Sequence, residues 1–209
     1  MKLTKTLLFL MTATLALSSC NSVPKKTGTT VSLKDAYAKD FYIGTALDTN
    51  QIMERDPMVS SLIAKEFNSI TPENCMKSMF LQPEKDKFDF KMADKYVAFG
   101  EKNKMFIHGH TLIWHSQLPK WMSQIKDSLT MATAMNNHIT TVVGNYKGRI
   151  HSWDVVNEAL NEDGTLRKSV FLNTYGKEYL TNAFKLAAKA DPKTDLYYND
   201  YNLCNAKKR

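Results

Sequence analysis

Four short segments of the chain bring together carboxyl, amide, imidazole and indole groups in combinations suited to a polyhydroxyl ligand. The first is Thr71-Pro72-Glu73-Asn74-Cys75-Met76-Lys77, where Glu73, Asn74 and Lys77 place an acceptor, an amide and a cationic donor close together. The second runs from His108 to Trp121 and sets Trp114, Gln117 and Trp121 among histidines. An indole face packs on the apolar side of a sugar ring, while amide and imidazole groups bond its hydroxyls. The third is Trp153-Asp154-Val155-Val156-Asn157-Glu158-Ala159, in which an amide and a carboxyl follow an apolar run. Such a carboxyl is suited to proton transfer to a glycosidic oxygen. The fourth, Tyr198-Asn199-Asp200-Tyr201-Asn202, again alternates aromatic and amide groups. His108-Gly109-His110 also suits a metal-dependent hydrolase with paired imidazoles, but that chemistry needs further ligands, and His138 and His151 fall in a predicted helix and at a predicted strand start.

The elements around these segments alternate in type. Strands are expected over 41–46, 68–72, 104–110, 149–157 and 196–199. Helices are expected over 58–67, 91–102, 131–146 and 175–190, the last ended by Asp191-Pro192. Strict βαβα order implies an α/β fold with a parallel sheet covered by helices. No GxGxxG run follows the first strand, which disfavours a dinucleotide-binding sheet. The polar clusters follow strands two to five, where (β/α) barrels carry their chemistry. A complete barrel has eight strands in about 250 residues. Five strands in 209 residues therefore predict a barrel truncated after about strand five.

The N-terminus predicts export. Lys2 and Lys5 precede the apolar run Leu7–Leu17, which is too short to span a bilayer. Leu17-Ser18-Ser19-Cys20 resembles a lipobox, with Cys20 as the acylated N-terminus; an ordinary signal peptide with an incidental cysteine is the alternative. The expected organisation is a signal peptide over 1–19, a lipid-anchored tether over 20–34 and a catalytic barrel from 35 to 209. That places the protein in a bacterial cell envelope, touching membrane through its anchor alone. Loss of the two signal-peptide lysines takes the net charge from +7 to +5, and the basic residues are scattered. No basic stripe with interleaved aromatics points to nucleic acid. Cys75 and Cys204 have no metal-ligand spacing and are expected to be buried or semi-buried thiols.

Taken in order, the segments T-P-E-N-x-M-K, H-G-H-T-L-x-W-H-x-Q-L-P-x-W and W-D-V-V-N-E-A resemble glycoside hydrolase family 10, from about residue 35 to the last residue. The resemblance implies a (β/α)8 barrel and retaining endo-hydrolysis of the β-1,4-xylan backbone, with no metal or organic cofactor. It implies Glu158 as general acid/base, and Asn157, His110, Trp114 and Gln117 around the sugar at the cleavage point. Glu73, Asn74 and Lys77 would bind the next sugar toward the non-reducing side, and Asn199 and Tyr201 are carried over as further sugar contacts. A cis peptide at His110-Thr111 is implied as well. Retaining hydrolysis needs a second carboxyl about 5–5.5 Å from the first. In the family this nucleophile lies in a T-E-L-D-like segment after strand seven, which the sequence does not contain. The expectation is a chain inactive by itself, or one that at most binds xylo-oligosaccharides.

Overall fold

A computed structural model describes residues 31–208. The expected signal peptide, Cys20 and most of the expected tether lie outside the described residues. From Ser32 onward the chain forms one compact unit. Its elements, in order, are α1 (Leu33–Ala36), β1 (Gly44–Leu47), α2 (Thr49–Ile52), α3 (Pro57–Glu66), β2 (Ser69–Pro72), α4 (Ser78–Leu81) and α5 (Lys91–Lys102). There follow β3 (Phe106–Trp114), α6 (Lys120–Ser123), α7 (Ser128–Asn145), β4 (Ser152–Asn157), α8 (Val170–Tyr175), α9 (Glu178–Ala190) and β5 (Asp195–Asn199).

Local chemistry starts several of these helices. Asp56 accepts from the Met58 backbone N–H at 2.8 Å, with Pro57 in the first turn of α3. Asp48 and Gln51 form a reciprocal capping box on α2. Asp127 caps α7 through Thr130, and Ser169 caps α8 through Leu172. α9 stops at Asp191 because Pro192 disfavours helical backbone in the residue before it.

All strand pairs are parallel, and the sheet order β1-β2-β3-β4-β5 follows the sequence. Every strand thus ends on the same side, and the sheet fits the first five strands of a (β/α)8 barrel. One face of the sheet packs against α5, α7 and α9. Ile70, Ile107, Trp153 and Val155 are buried with Val97, Ile139, Val143, Ala183 and Ala187 in one continuous core. Gly109 is required there: a Cβ would stand 2.2 Å from the Trp153 ring. Side chains alternate along a strand, so His108 and His110 turn to the opposite face from Ile107 and Gly109, paired in register with Ser152 and Asp154.

Some expectations shift. β3 continues to Trp114, so Thr111 to Ile113 are strand, paired to β4 through an irregular register between His110 and Ile113. Residues 41–43 precede β1, and Phe41 and Tyr42 are exposed. Residues 149–151 precede β4, while α8 and the short helices α1, α2, α4 and α6 were not expected. α1 begins at Leu33, inside the span expected as tether, and it is docked: the Leu33 backbone N–H donates to Glu66 at 2.7 Å. Cys75 is buried, and apolar burial pushes its thiol up to about 12. Cys204 is exposed, contrary to expectation, because it lies in the turn beyond β5, away from the core.

Candidate active site

The strand ends bring most of the expected residues into one cluster. Glu158 follows β4 directly and has left-handed backbone, φ 54°. That conformation is uncommon for a residue with a side chain and costs on the order of 1 kcal/mol or more. It is held by the Glu158 N–H donating to the Asn199 carbonyl at 2.8 Å. The carboxyl accepts the Trp114 indole N–H at 3.1 Å. The Trp114 ring in turn carries the Lys77 ammonium 4.9 Å from its centre. Asn157 and Asn199 meet side chain to side chain at 2.8 Å, across the register pair that ends β4 and β5.

Lys77 donates to Asn74 Oδ1 at 3.1 Å and is only 8% exposed. Burial lowers its pKa, opposed by the charges of Glu73 and Glu158. Glu73 is exposed at the end of β2, where its N–H donates to Leu47. Gln117 also has left-handed backbone, φ 46°, and its Oε1 is buried with no protein donor among the described residues. Glu73, Asn74, Lys77, Trp114, Gln117, Asn157, Glu158 and Asn199 thus line the ends of β2 to β5.

His110 stands one step below this rim, and the His110-Thr111 peptide is cis. Its Nδ1 is 2.8 Å from Asp154 Oδ2, and the same oxygen lies 3.0 Å from His108 Nε2. His108 Nδ1 is 2.6 Å from Ser152 Oγ. A carboxylate facing both rings places an N–H on Nδ1 of His110. Burial pushes the Asp154 carboxyl up, but the bonds from His108 and His110 outweigh it and hold the group below its ordinary value. Both histidines therefore face a carboxylate, and among the described residues no group of three or more His, Cys, Asp or Glu could hold a metal ion.

Tyr201 lies in the turn beyond β5. Its hydroxyl accepts from Arg167 at 2.8 Å, and its ring lies under the Lys208 ammonium. Asp154 and Arg167 escaped sequence reasoning, and His108 was read there only as one of a pair of imidazoles suited to a metal. Asp154 and His108 lie inside segments already singled out, and two-residue alternation on neighbouring strands was the signal that pairs them with His110. Arg167 had a subtler signal: Asp163-Gly164, a turn dipeptide, folds the chain back so that Leu160 and Leu166 bridge. His115 is drawn below its usual pKa by burial and then by the Arg167 charge, against Glu158 and Asp200.

A parallel βα sheet with a carboxyl, an indole and amides gathered at its strand ends defines a barrel-type glycoside hydrolase site. The comparisons give the family. The model of glycosyl hydrolase family 10 matches residues 32–209, and the chain belongs to that family. It is 44% identical over 183 residues to endo-1,4-beta-xylanase A of Xylanibacter ruminicola, covering 85% of this chain and 50% of that protein. It is 48% identical over 162 residues to endo-1,4-beta-xylanase 2 of Claviceps purpurea, covering 78% and 49%. Among solved structures, a GH10 endoxylanase from sugarcane soil metagenome superposes with a TM-score of 0.81 at 46% identity, over 85% of this chain and 53% of that one. Xylanase 10B from Thermotoga petrophila, solved with xylobiose, gives 0.80 at 43% identity, over 82% and 54%. The chain spans about half the length of these relatives.

Proposed function

We propose that these residues act in an endo-1,4-β-xylanase that hydrolyses the β-1,4-xylan backbone with retention. Glu158 is the general acid/base, and the nucleophilic carboxylate comes from a segment other than the motifs of this chain. The observation that carries the reading is the Glu158 carboxyl held by Trp114 Nε1 at 3.1 Å, beside the paired amides of Asn157 and Asn199. In the first step the carboxylic acid protonates the leaving glycosidic oxygen; in the second the carboxylate takes a proton from the attacking water. His110, Trp114, Gln117 and Asn157 hold the sugar at the cleavage point, and Glu73, Asn74 and Lys77 the sugar next to it. Asn199 and Tyr201 complete the sugar contacts.

The test is release of reducing sugar from xylan, compared with a Glu158→Ala variant at matched concentration. No release from either protein supports a nucleophile that lies outside the motifs of this chain, whereas release that is lost in the variant means that another residue of the chain supplies the second carboxylate. A second reading rests on the absence of a T-E-L-D-like segment from the sequence: the chain binds xylo-oligosaccharides without cleaving them. Calorimetric binding of xylotriose with no sugar release favours that reading, and neither binding nor release overturns both. The reading extends to export as a lipoprotein acylated on Cys20; labelled palmitate incorporated into the wild type but not into Cys20→Ser checks it.

A further inference from the structure

Arg167 makes more contacts to the neighbourhood of Glu158 than any role in surface solvation requires. Its Nε donates to the Glu158 carbonyl at 3.0 Å and its Nη2 to the Leu160 carbonyl at 2.9 Å. The same Nη2 donates to the Tyr201 hydroxyl at 2.8 Å, so one planar fork joins the turn after β4 to the loop after β5. The first of these bonds lands on the residue with left-handed backbone, whose N–H is already fixed by Asn199. Both peptide groups flanking the Glu158 side chain are therefore tied down. Arg167 also lines a small cavity with Glu158, Trp114 and His115, its charge close to the carboxyl.

We propose that Arg167 is a positioning residue for Glu158: the guanidinium fork locks the left-handed turn that aims the carboxyl, and Tyr201 links that aim to the loop after β5. This rests on the reading of Glu158 as the general acid. A preorganised acid meets the leaving oxygen without reorganisation, whereas one free to relax out of the left-handed region spends much of its time aimed elsewhere. The damage should therefore scale with how much protonation the leaving group needs.

The experiment uses the full 209-residue chain with phenyl and 2,4-dinitrophenyl β-xylobiosides and added azide. Azide forms a C–N bond at the anomeric carbon as the C–O bond to the aryl oxygen breaks. The phenol takes its proton from Glu158, while dinitrophenolate leaves as the anion. The assay thus reads the acid without needing a second carboxylate. Arg167→Met is expected to lower phenol release at least about tenfold more than dinitrophenolate release. Tyr201→Phe should do the same by about threefold, within the range of one lost hydrogen bond. Equal losses with both leaving groups would mean a structural role only and overturn the proposal. Glu158→Ala is the control: if it shows no leaving-group selectivity, the acid assignment fails independently of Arg167. No azide-dependent release from the wild type overturns both. Should Arg167→Met not fold by circular dichroism, Tyr201→Phe decides on the same ratio.

Discussion

The indole nitrogen of Trp114 and the carboxyl of Glu158 are 3.1 Å apart, although the two residues are 44 positions apart in the chain with α6 and α7 between them. The same ring lies beneath Lys77, so one side chain connects the strand ends of β2, β3 and β4. Replacing Trp114 with Ala removes the indole face proposed to lie against the sugar and is expected to weaken xylotriose binding about tenfold, the effect of roughly 1.4 kcal/mol. Trp114→Phe should keep most of that affinity. Isothermal titration checks both, and an unchanged affinity in the Ala variant would remove Trp114 from the sugar site.

Asp154 serves two imidazoles at once, and its carboxyl is held below its ordinary pKa. Asp154→Asn removes the negative charge that both rings face, and is expected to destabilise the fold by about 1–3 kcal/mol at pH 7. Because the folded pKa is depressed, the carboxylate contributes stability that is present above its unfolded pKa and lost as pH falls through the folded value. The gap between wild type and variant, read from urea midpoints, should therefore narrow toward pH 3. A gap independent of pH would show that the effect is packing alone.

His138 is fully buried in α7, with Nδ1 3.0 Å from Gln82 Oε1, and burial lowers its pKa to about 4. The unfolded imidazole takes a proton near pH 6.5, so between those values the unfolded state binds more protons. Stability from this site is complete above pH 6.5 and declines as pH falls through about 4. His138→Gln is expected to flatten the dependence of unfolding free energy on pH between 6.5 and 4. Parallel slopes for the two proteins would contradict this.

Gly109→Ala forces a methyl group onto the Trp153 ring. Trp153 is 1% exposed and has no room to withdraw, so the expected cost is about 1–3 kcal/mol or more. Thermal unfolding of the variant beside the wild type measures it. A melting temperature within a degree of wild type would mean that β3 and β4 move apart freely.

Much of the fold was legible because its signals are local. The apolar pair Val155-Val156 marks β4, and α5 carries its helical period over its full length. The one-turn helices α4 and α6 were not legible, because tertiary bonds hold them: the Met79 N–H donates to the Gln117 carbonyl, and the Trp121 indole N–H to the Gln82 carbonyl. The extension of β3 to Trp114 depends likewise on an irregular pairing with β4 that no single segment encodes. In the site, the residues proposed to touch sugars stand in recognisable segments. Asp154 and Arg167, whose contacts in the structure are to other protein groups, became visible only once neighbouring strands and a returning turn were in place.

The three tryptophans occupy three different settings, and this makes the protein its own optical reporter. Trp153 is sealed in the core, and Trp121 has its N–H committed to a backbone carbonyl beside α4. Trp114 alone of the three rests against an ionisable carboxyl and an ammonium group. Emission from Trp114 therefore reports on the two charged groups that its indole meets at the strand ends.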